Sequence, residues 1–259
     1  MSKPTTTSKP TTTSRTKPIM IVSGVAVAAV LLGVVSFTAT RPDSGGASGS
    51  SAAEVSADPN AGVYPQLEAY ARRDAADKLA LGRADAPVVL IEYADFKCGY
   101  CGKFARDTEP ELVRKYVENG TLRIEWRNFP IFGEESEAAA RASWAAGQQG
   151  RFWEFHRAAY AEGAKEKGFG KEQLNALAKE AGVPDLARFA QDTDGAAARA
   201  AVSKDQEQAY SIGATSTPSF LVNGRPIAGA QPMETFTAAI DAAARTAKSA
   251  PAPKGGAGE

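Results

Sequence analysis

Asp85 to Phe104 reads DAPVVLIEYADFKCGYCGKF, and these twenty residues hold a strand, a turn and the start of a helix. Val88 to Tyr93 is apolar and β-branched, begins just after Pro87, and predicts a buried strand. Cys98 and Cys101 follow at the junction with a helix spanning 99 to 119, whose apolar face carries Leu112, Val113, Tyr116 and Val117. Pro110 cannot donate its backbone hydrogen bond and should bend that helix, and Asn119-Gly120 ends it.

Further along, Thr121 to Arg127 predicts a second strand in which Leu122, Ile124 and Trp126 alternate with polar residues. From 134 to 212 only helical patterns occur, cut by Gly147, Gly150, Gly168, Gly170, Gly182, Pro184 and Gly195 into four or five short helices. Pro218 to Val222 is apolar, Asn223-Gly224 is a strong hairpin signal, and Arg225 to Ala228 can return as a strand. A final helix is expected from Pro232 to Ala247. Strand, helix, strand, helical block, hairpin and helix together predict an α/β sheet with a helical insertion.

Before this domain, residues 3 to 14 repeat Lys-Pro-Thr-Thr-Thr-Ser twice, so 1–18 reads as a disordered tail. No charge interrupts Ile19 to Thr40, and a helix of that length rises about 33 Å, enough to cross a hydrocarbon core of about 30 Å. Lys3, Lys9, Arg15 and Lys17 precede it, which predicts a cytoplasmic N-terminus and an extracytoplasmic catalytic domain on a single-pass anchor in the cell membrane. A cleaved signal peptide is the alternative, although the apolar run is long and Phe37-Thr38-Ala39 is a poor cleavage site. Residues 41–62 read as a flexible linker, 63–248 as one folded domain with its insertion at about 134–212, and 249–259 as a second disordered tail.

The chain has 259 residues, 43% hydrophobic and 23% charged, and its 30 basic and 30 acidic residues cancel, which gives no reason to expect a nucleic-acid partner. With two cysteines three apart, the multi-bridge framework of a small secreted scaffold is excluded. Helical i to i+3 spacing sets their Cα atoms about 5 to 6 Å apart, within disulfide range. Cys98 lies at the helix N-terminus, where free N–H groups favour a thiolate, and is the candidate nucleophile; Cys101, one turn inside, is the candidate resolving thiol. Lys97 and Lys103 would add positive potential. A structural four-residue loop and half a zinc site are the competing readings, but His156 is the only histidine and the loop is too small to staple much, so neither metal nor cofactor is expected. His156 itself, in RFWEFHRAAY, reads as a helix-face residue. Glu92 shares a strand face with Val88 and Leu90; a buried carboxyl there could exchange protons with Cys101, while a strand-end acid at the surface is the plainer reading.

DAPVVLIEYADFKCGYCGKF, RNFPI at 127–131 and GATSTPSFLVNG at 213–224 resemble, in order, the bacterial DsbA-type thiol-disulfide oxidoreductases. The resemblance runs from about Ala80 to about Ala247 and implies a thioredoxin fold with an inserted helical domain. It further implies that Pro218, preceded by Thr217, is a cis-proline facing the cysteines, and that Glu92 is the buried acid of thioredoxin-like proteins. An ordinary trans proline is the alternative. Strongly oxidising members carry a His between the cysteines; here the dipeptide is Gly99-Tyr100, which with Thr217-Pro218 is more similar to DsbC-type isomerases, though no N-terminal dimerisation domain is visible. The absence of that cation implies a less stabilised Cys98 thiolate and a less oxidising disulfide. The expected activity is oxidation of thiols in exported proteins, with reoxidation by an unidentified membrane partner. The same cysteines also suit a reductase or isomerase. From different classes, a non-catalytic surface binding module and a metallochaperone compete with it, the latter weakened because no Met or His accompanies the pair.

Overall fold

The computed structural model describes residues 62–249. The expected tail 1–18, membrane anchor 19–40, linker up to 61 and tail from 250 lie outside the described residues. Among the described residues no helix is long and apolar enough to cross a membrane.

Seven consecutive buried residues, Val88–Ala94, form the central strand β2, apolar throughout except for Glu92. A two-residue strand β1 (Ala80–Leu81) precedes it, and β3 (Leu122–Asn128) runs parallel to β2 with Val88 opposite Leu122 and Glu92 opposite Trp126. The hairpin strands β4 (Ser219–Val222) and β5 (Arg225–Ala228) add antiparallel on the other side of β2, giving a mixed sheet of order β1-β3-β2-β4-β5. Asn223 (φ 40°) and Gly224 (φ 78°) both take left-handed backbone, which a two-residue hairpin turn needs. A Cβ at Gly224 would sit 2.6 Å from the Tyr64 carbonyl oxygen, so no larger residue fits there.

Around the sheet, a short helix α1 (Pro65–Glu68) precedes β1. The helix after the cysteines is continuous but not uniform: α2 (Gly99–Lys103), a π turn at Phe104–Thr108, α3 (Glu109–Leu112) and a second π turn at Val113–Val117. The bend expected at Pro110 is taken up by the first π turn, where Glu109 N–H bonds to Phe104 O immediately before the proline. Five helices, α4 (Glu134–Gln148), α5 (Phe152–Ala159), α6 (Lys171–Glu180), α7 (Leu186–Thr193) and α8 (Ala196–Ser211), make up the helical block, and α9 (Met233–Ser249) closes against β2 and β4.

Parallel register puts Val88, Leu90 and Glu92 on one face of the sheet with Leu122, Ile124 and Trp126, and this face carries the main core together with Cys98, Cys101, Phe104, Phe220 and Phe236. The other face carries Val89, Ile91 and Tyr93 beside Arg123, Glu125 and Arg127. The apolar residues of β3 alternate with polar ones as expected, and all seven residues of the strand are buried. Helix α8 contacts β3, and Arg72 and Arg73 bond to its Glu125, which takes the polar face out of water.

Candidate active site

The site begins where β2 ends. Asp95 Oδ1 accepts bonds from Lys97 N (2.8 Å) and Ser136 Oγ (2.7 Å), while Oδ2 accepts from Ile131 N (2.7 Å) and Phe132 N (3.2 Å). Its own carbonyl takes Cys98 N at 3.0 Å and Tyr160 Oη at 2.9 Å. One buried carboxylate therefore ties the turn before Cys98 to the loop after β3 and to α4. Sequence reasoning passed over Asp95; an Asp two residues before the helix-entry turn was the available signal.

Cys98 caps α2: its backbone is extended (φ −77°, ψ 118°), and Sγ accepts Cys101 N–H at 3.4 Å. Across from it, Thr217-Pro218 is a cis peptide, as the resemblance implied, and the Thr217 carbonyl accepts the Cys98 thiol at 3.2 Å. Both cysteines are free, Cys98 5% exposed and Cys101 fully buried. This asymmetry separates their chemistry. A hydrogen bond from the Cys101 thiol outweighs burial and, with the Thr217 side chain and the Cys101 and Tyr100 N–H groups, lowers Cys98 to about 6 from an ordinary 9. Burial pushes Cys101 well up, and donating to Cys98 and the charges of Cys98 and Glu92 add to it.

The cationic neighbours do not act as expected. Lys97 is paired with Glu135 at 2.8 Å and Lys103 with Asp107 at 2.6 Å, so hydrogen bonds rather than cations favour the thiolate. The thiolate is thus well stabilised even without a charged residue between the cysteines.

Glu92 is fully buried on the cysteine side of the sheet, and neither of its oxygens has a hydrogen-bond partner among the described residues. The surface reading of this residue is overturned. Desolvation, then the charges of Glu109 and Cys98, hold its pKa well above the usual carboxylate range. Glu109 was not anticipated from the sequence, and His156 is no simple helix-face residue: its ring is fully buried and Nε2 lies 3.6 Å from Glu109 Oε2. Burial is the common cause that raises Glu109 to about 8 and lowers His156 to about 3. A cleft of about 150 Å³ lies beside Cys98, lined by Phe96, Arg106, Tyr160 and Lys165 among others. Among the described residues no cluster of His, Cys, Asp and Glu is arranged to hold a metal ion.

A Cys-x-x-Cys pair at a helix N-terminus, facing a cis-proline and backed by a buried acid, defines a dithiol–disulfide exchange centre. The thioredoxin family profile matches residues 74–242. The chain is 32% identical over 151 residues to the probable disulfide bond formation protein D of Bacillus cereus, an alignment covering 56% of this chain and 69% of that protein. It is also 31% identical over 172 residues to Na(+)/H(+) antiporter NhaA 3 of Salinispora tropica; this covers 66% of the chain but 25% of the antiporter, so the likeness spans only a quarter of that protein. Among solved structures, a thioredoxin-like oxidoreductase from Silicibacter pomeroyi superposes with a TM-score of 0.58 at 28% identity, covering 67% of this chain and 98% of the other. The chain belongs to the thioredoxin family and is a thiol-disulfide oxidoreductase.

Proposed function

We propose that this protein is an extracytoplasmic oxidase that introduces disulfides into exported proteins, anchored to the cell membrane by residues 19–40 and reoxidised by a membrane partner. The observation that carries the reading is the asymmetry of the pair: a Cys98 thiol brought to about 6 beside a Cys101 thiol pushed well above 9. A stabilised Cys98 thiolate stabilises the reduced enzyme and so makes the disulfide form oxidising. About 6 lies between the values typical of thioredoxin (about 7) and DsbA (about 3.5), which points to an intermediate potential. A relative named as a disulfide bond formation protein supports the same direction.

In this mechanism a substrate thiolate attacks Cys98 Sγ of the disulfide, the Cys98–Cys101 bond breaks, and Cys101 leaves as a thiolate that takes a proton from Glu92. The substrate's second thiolate then attacks the mixed disulfide at the substrate sulfur, and Cys98 leaves as its stabilised thiolate. Two electrons pass from substrate dithiol to enzyme disulfide. Thr217 and Pro218 line the approach to Cys98 and present backbone to an extended substrate segment.

The test is the redox equilibrium of the cysteine pair against glutathione buffers. A potential between about −120 and −230 mV supports the oxidase, while one near −270 mV makes the same centre a reductase. Cys98→Ser abolishes exchange under either direction; full activity of that variant in vivo would leave the protein a binding module.

A further inference from the structure

Glu92 on β2, Glu109 on α3 and His156 on α5 lie beneath the cysteines, with exposures of 0%, 5% and 0%. Both oxygens of Glu92, Oε2 of Glu109 and both ring nitrogens of His156 have no hydrogen-bond partner among the described residues. Each buried polar atom left in that condition destabilises the fold, and apolar residues of the same volume would avoid this. Packing therefore does not account for five such atoms.

The surroundings are otherwise aromatic. Around His156 the rings of Phe96, Trp126, Phe152, Trp153 and Tyr160 have centroids between 4.9 and 6.1 Å away. The ionisable groups that act on the cluster are Cys98 and Cys101 from α2, and Arg157 from α5, whose charge favours the Glu109 anion and the neutral imidazole. Tyr160 is committed to the Asp95 carbonyl.

Proton supply raises a geometric problem in the mechanism above. Cys101 and Glu92 are both fully buried, so the proton that Glu92 gives to Cys101 has to be replaced from outside. Of the groups in the cluster beneath the cysteines, Glu109 alone retains surface. Its charge acts on Glu92, so the two acids are close enough to feel each other.

We propose that Glu109, whose Oε2 lies 3.6 Å from His156 Nε2, is the second carboxyl through which Glu92 regains its proton from solvent. This rests on the exchange chemistry proposed above. In sequence, the Glu92 O–H breaks as the Cys101 S–H forms, the Glu109 O–H breaks as that of Glu92 re-forms, and the Glu109 carboxylate takes a proton from water. Its anion is transient and lies in the field of Arg157; His156 keeps its proton count throughout. Glu109 and His156 are thus positioning and supply residues, and neither touches substrate.

The test follows single-turnover exchange with a dithiol peptide in the full-length chain, comparing wild type with Glu109→Gln and His156→Gln across pH and buffer concentration. Glu109→Gln is expected to slow the step that protonates Cys101 by about tenfold or more and to make its rate rise with buffer-acid concentration, whereas wild type is insensitive to buffer. His156→Gln should change in the same direction by a smaller factor. Should either variant not fold, time-resolved infrared spectra of the unmodified chain during exchange decide: transient loss and recovery of two carboxyl C=O bands supports the pair, and one alone overturns it. If Cys98→Ser is inactive but Glu109→Gln matches wild type in both pH profile and buffer dependence, the proton-supply role falls while the oxidase reading stands. If Cys98→Ser stays active, the exchange reading fails and the supply role with it.

Discussion

Two buried glutamates, Glu92 on β2 and Glu125 on β3, lie on opposite faces of the same sheet, and they have opposite surroundings. Glu125 accepts four hydrogen bonds: from Arg73 N and Arg123 Nε at Oε1 (2.8 and 2.9 Å), and from Arg72 N and Arg127 Nη2 at Oε2 (2.9 and 2.8 Å). Burial pushes its pKa up, but the Arg127 charge and these bonds win and bring it to about 2. Glu92 accepts none and titrates well above the normal range. Equal burial thus gives a permanent anion on one face and a proton-holding acid on the other. The difference lies in the donors: a carboxylate surrounded by guanidinium and backbone N–H groups is structural, and one left without them is available for chemistry.

The largest effect that would break this contrast is Glu125→Gln. Arg123 and Arg127 would be left as buried cations without their carboxylate, and stability in urea unfolding should fall by about 3–5 kcal/mol. A loss under about 1 kcal/mol would show that the paired cluster is no more structural than Glu92.

The two faces should also separate by pH. Glu125, lowered in the fold, contributes stability that is present above its unfolded pKa of about 4.5 and is lost as pH falls through about 2. Glu109 and Glu92, raised in the fold, favour the native state while protonated; stability declines as pH climbs from about 4.5, through about 8 for Glu109. Denaturation followed across pH should therefore show an acid limb that disappears in Glu125→Gln and an alkaline limb that flattens in Glu92→Gln. One limb responding to both variants would remove the distinction.

Glu92→Gln itself should leave stability near pH 7 unchanged or raise it by about 1 kcal/mol, since it removes an acid that prefers to stay uncharged, while thiol exchange slows. A smaller effect is expected at Cys98, where the rate of alkylation should titrate with a midpoint of about 6 in wild type. Thr217→Val removes one of the groups favouring the thiolate and should raise that midpoint by a fraction of a unit. Least of all, Lys97→Ala breaks a partly exposed ion pair with Glu135 and should cost no more than about 1 kcal/mol, with the Cys98 midpoint unmoved. A clear rise of the midpoint in that variant would restore the cation as a source of thiolate stability.

Much of this architecture was legible in local pattern. Val88 to Tyr93 could only be a buried strand, the Asn223-Gly224 turn specified the hairpin, and the glycines between 147 and 195 cut the helical block close to where its helices end. The cysteine pair was equally plain, since spacing and position carry the chemistry. Less legible was the burial of the polar residues of β3: nothing local to Arg123, Glu125 and Arg127 reveals that α8 and Arg72 and Arg73 come to cover them. Glu109 escaped notice for a related reason, as it sits just after a π turn that departs from the helical period by which faces are read.

The order of elements, the Cys98–Cys101 centre and the candidacy of Glu92 can be read along the chain, because strand and helix periodicity and short-range spacing are properties of neighbouring residues. Which of the buried acids are charged depends instead on how distant segments pack together. Whether an arginine, a backbone N–H or another carboxyl lies within bonding distance depends on residues 36 to 119 positions away, as with Asp95 and Ile131, Glu125 and Arg72, or Cys98 and Thr217. Protonation follows from those neighbours and from lost water, neither of which is encoded at the position that titrates.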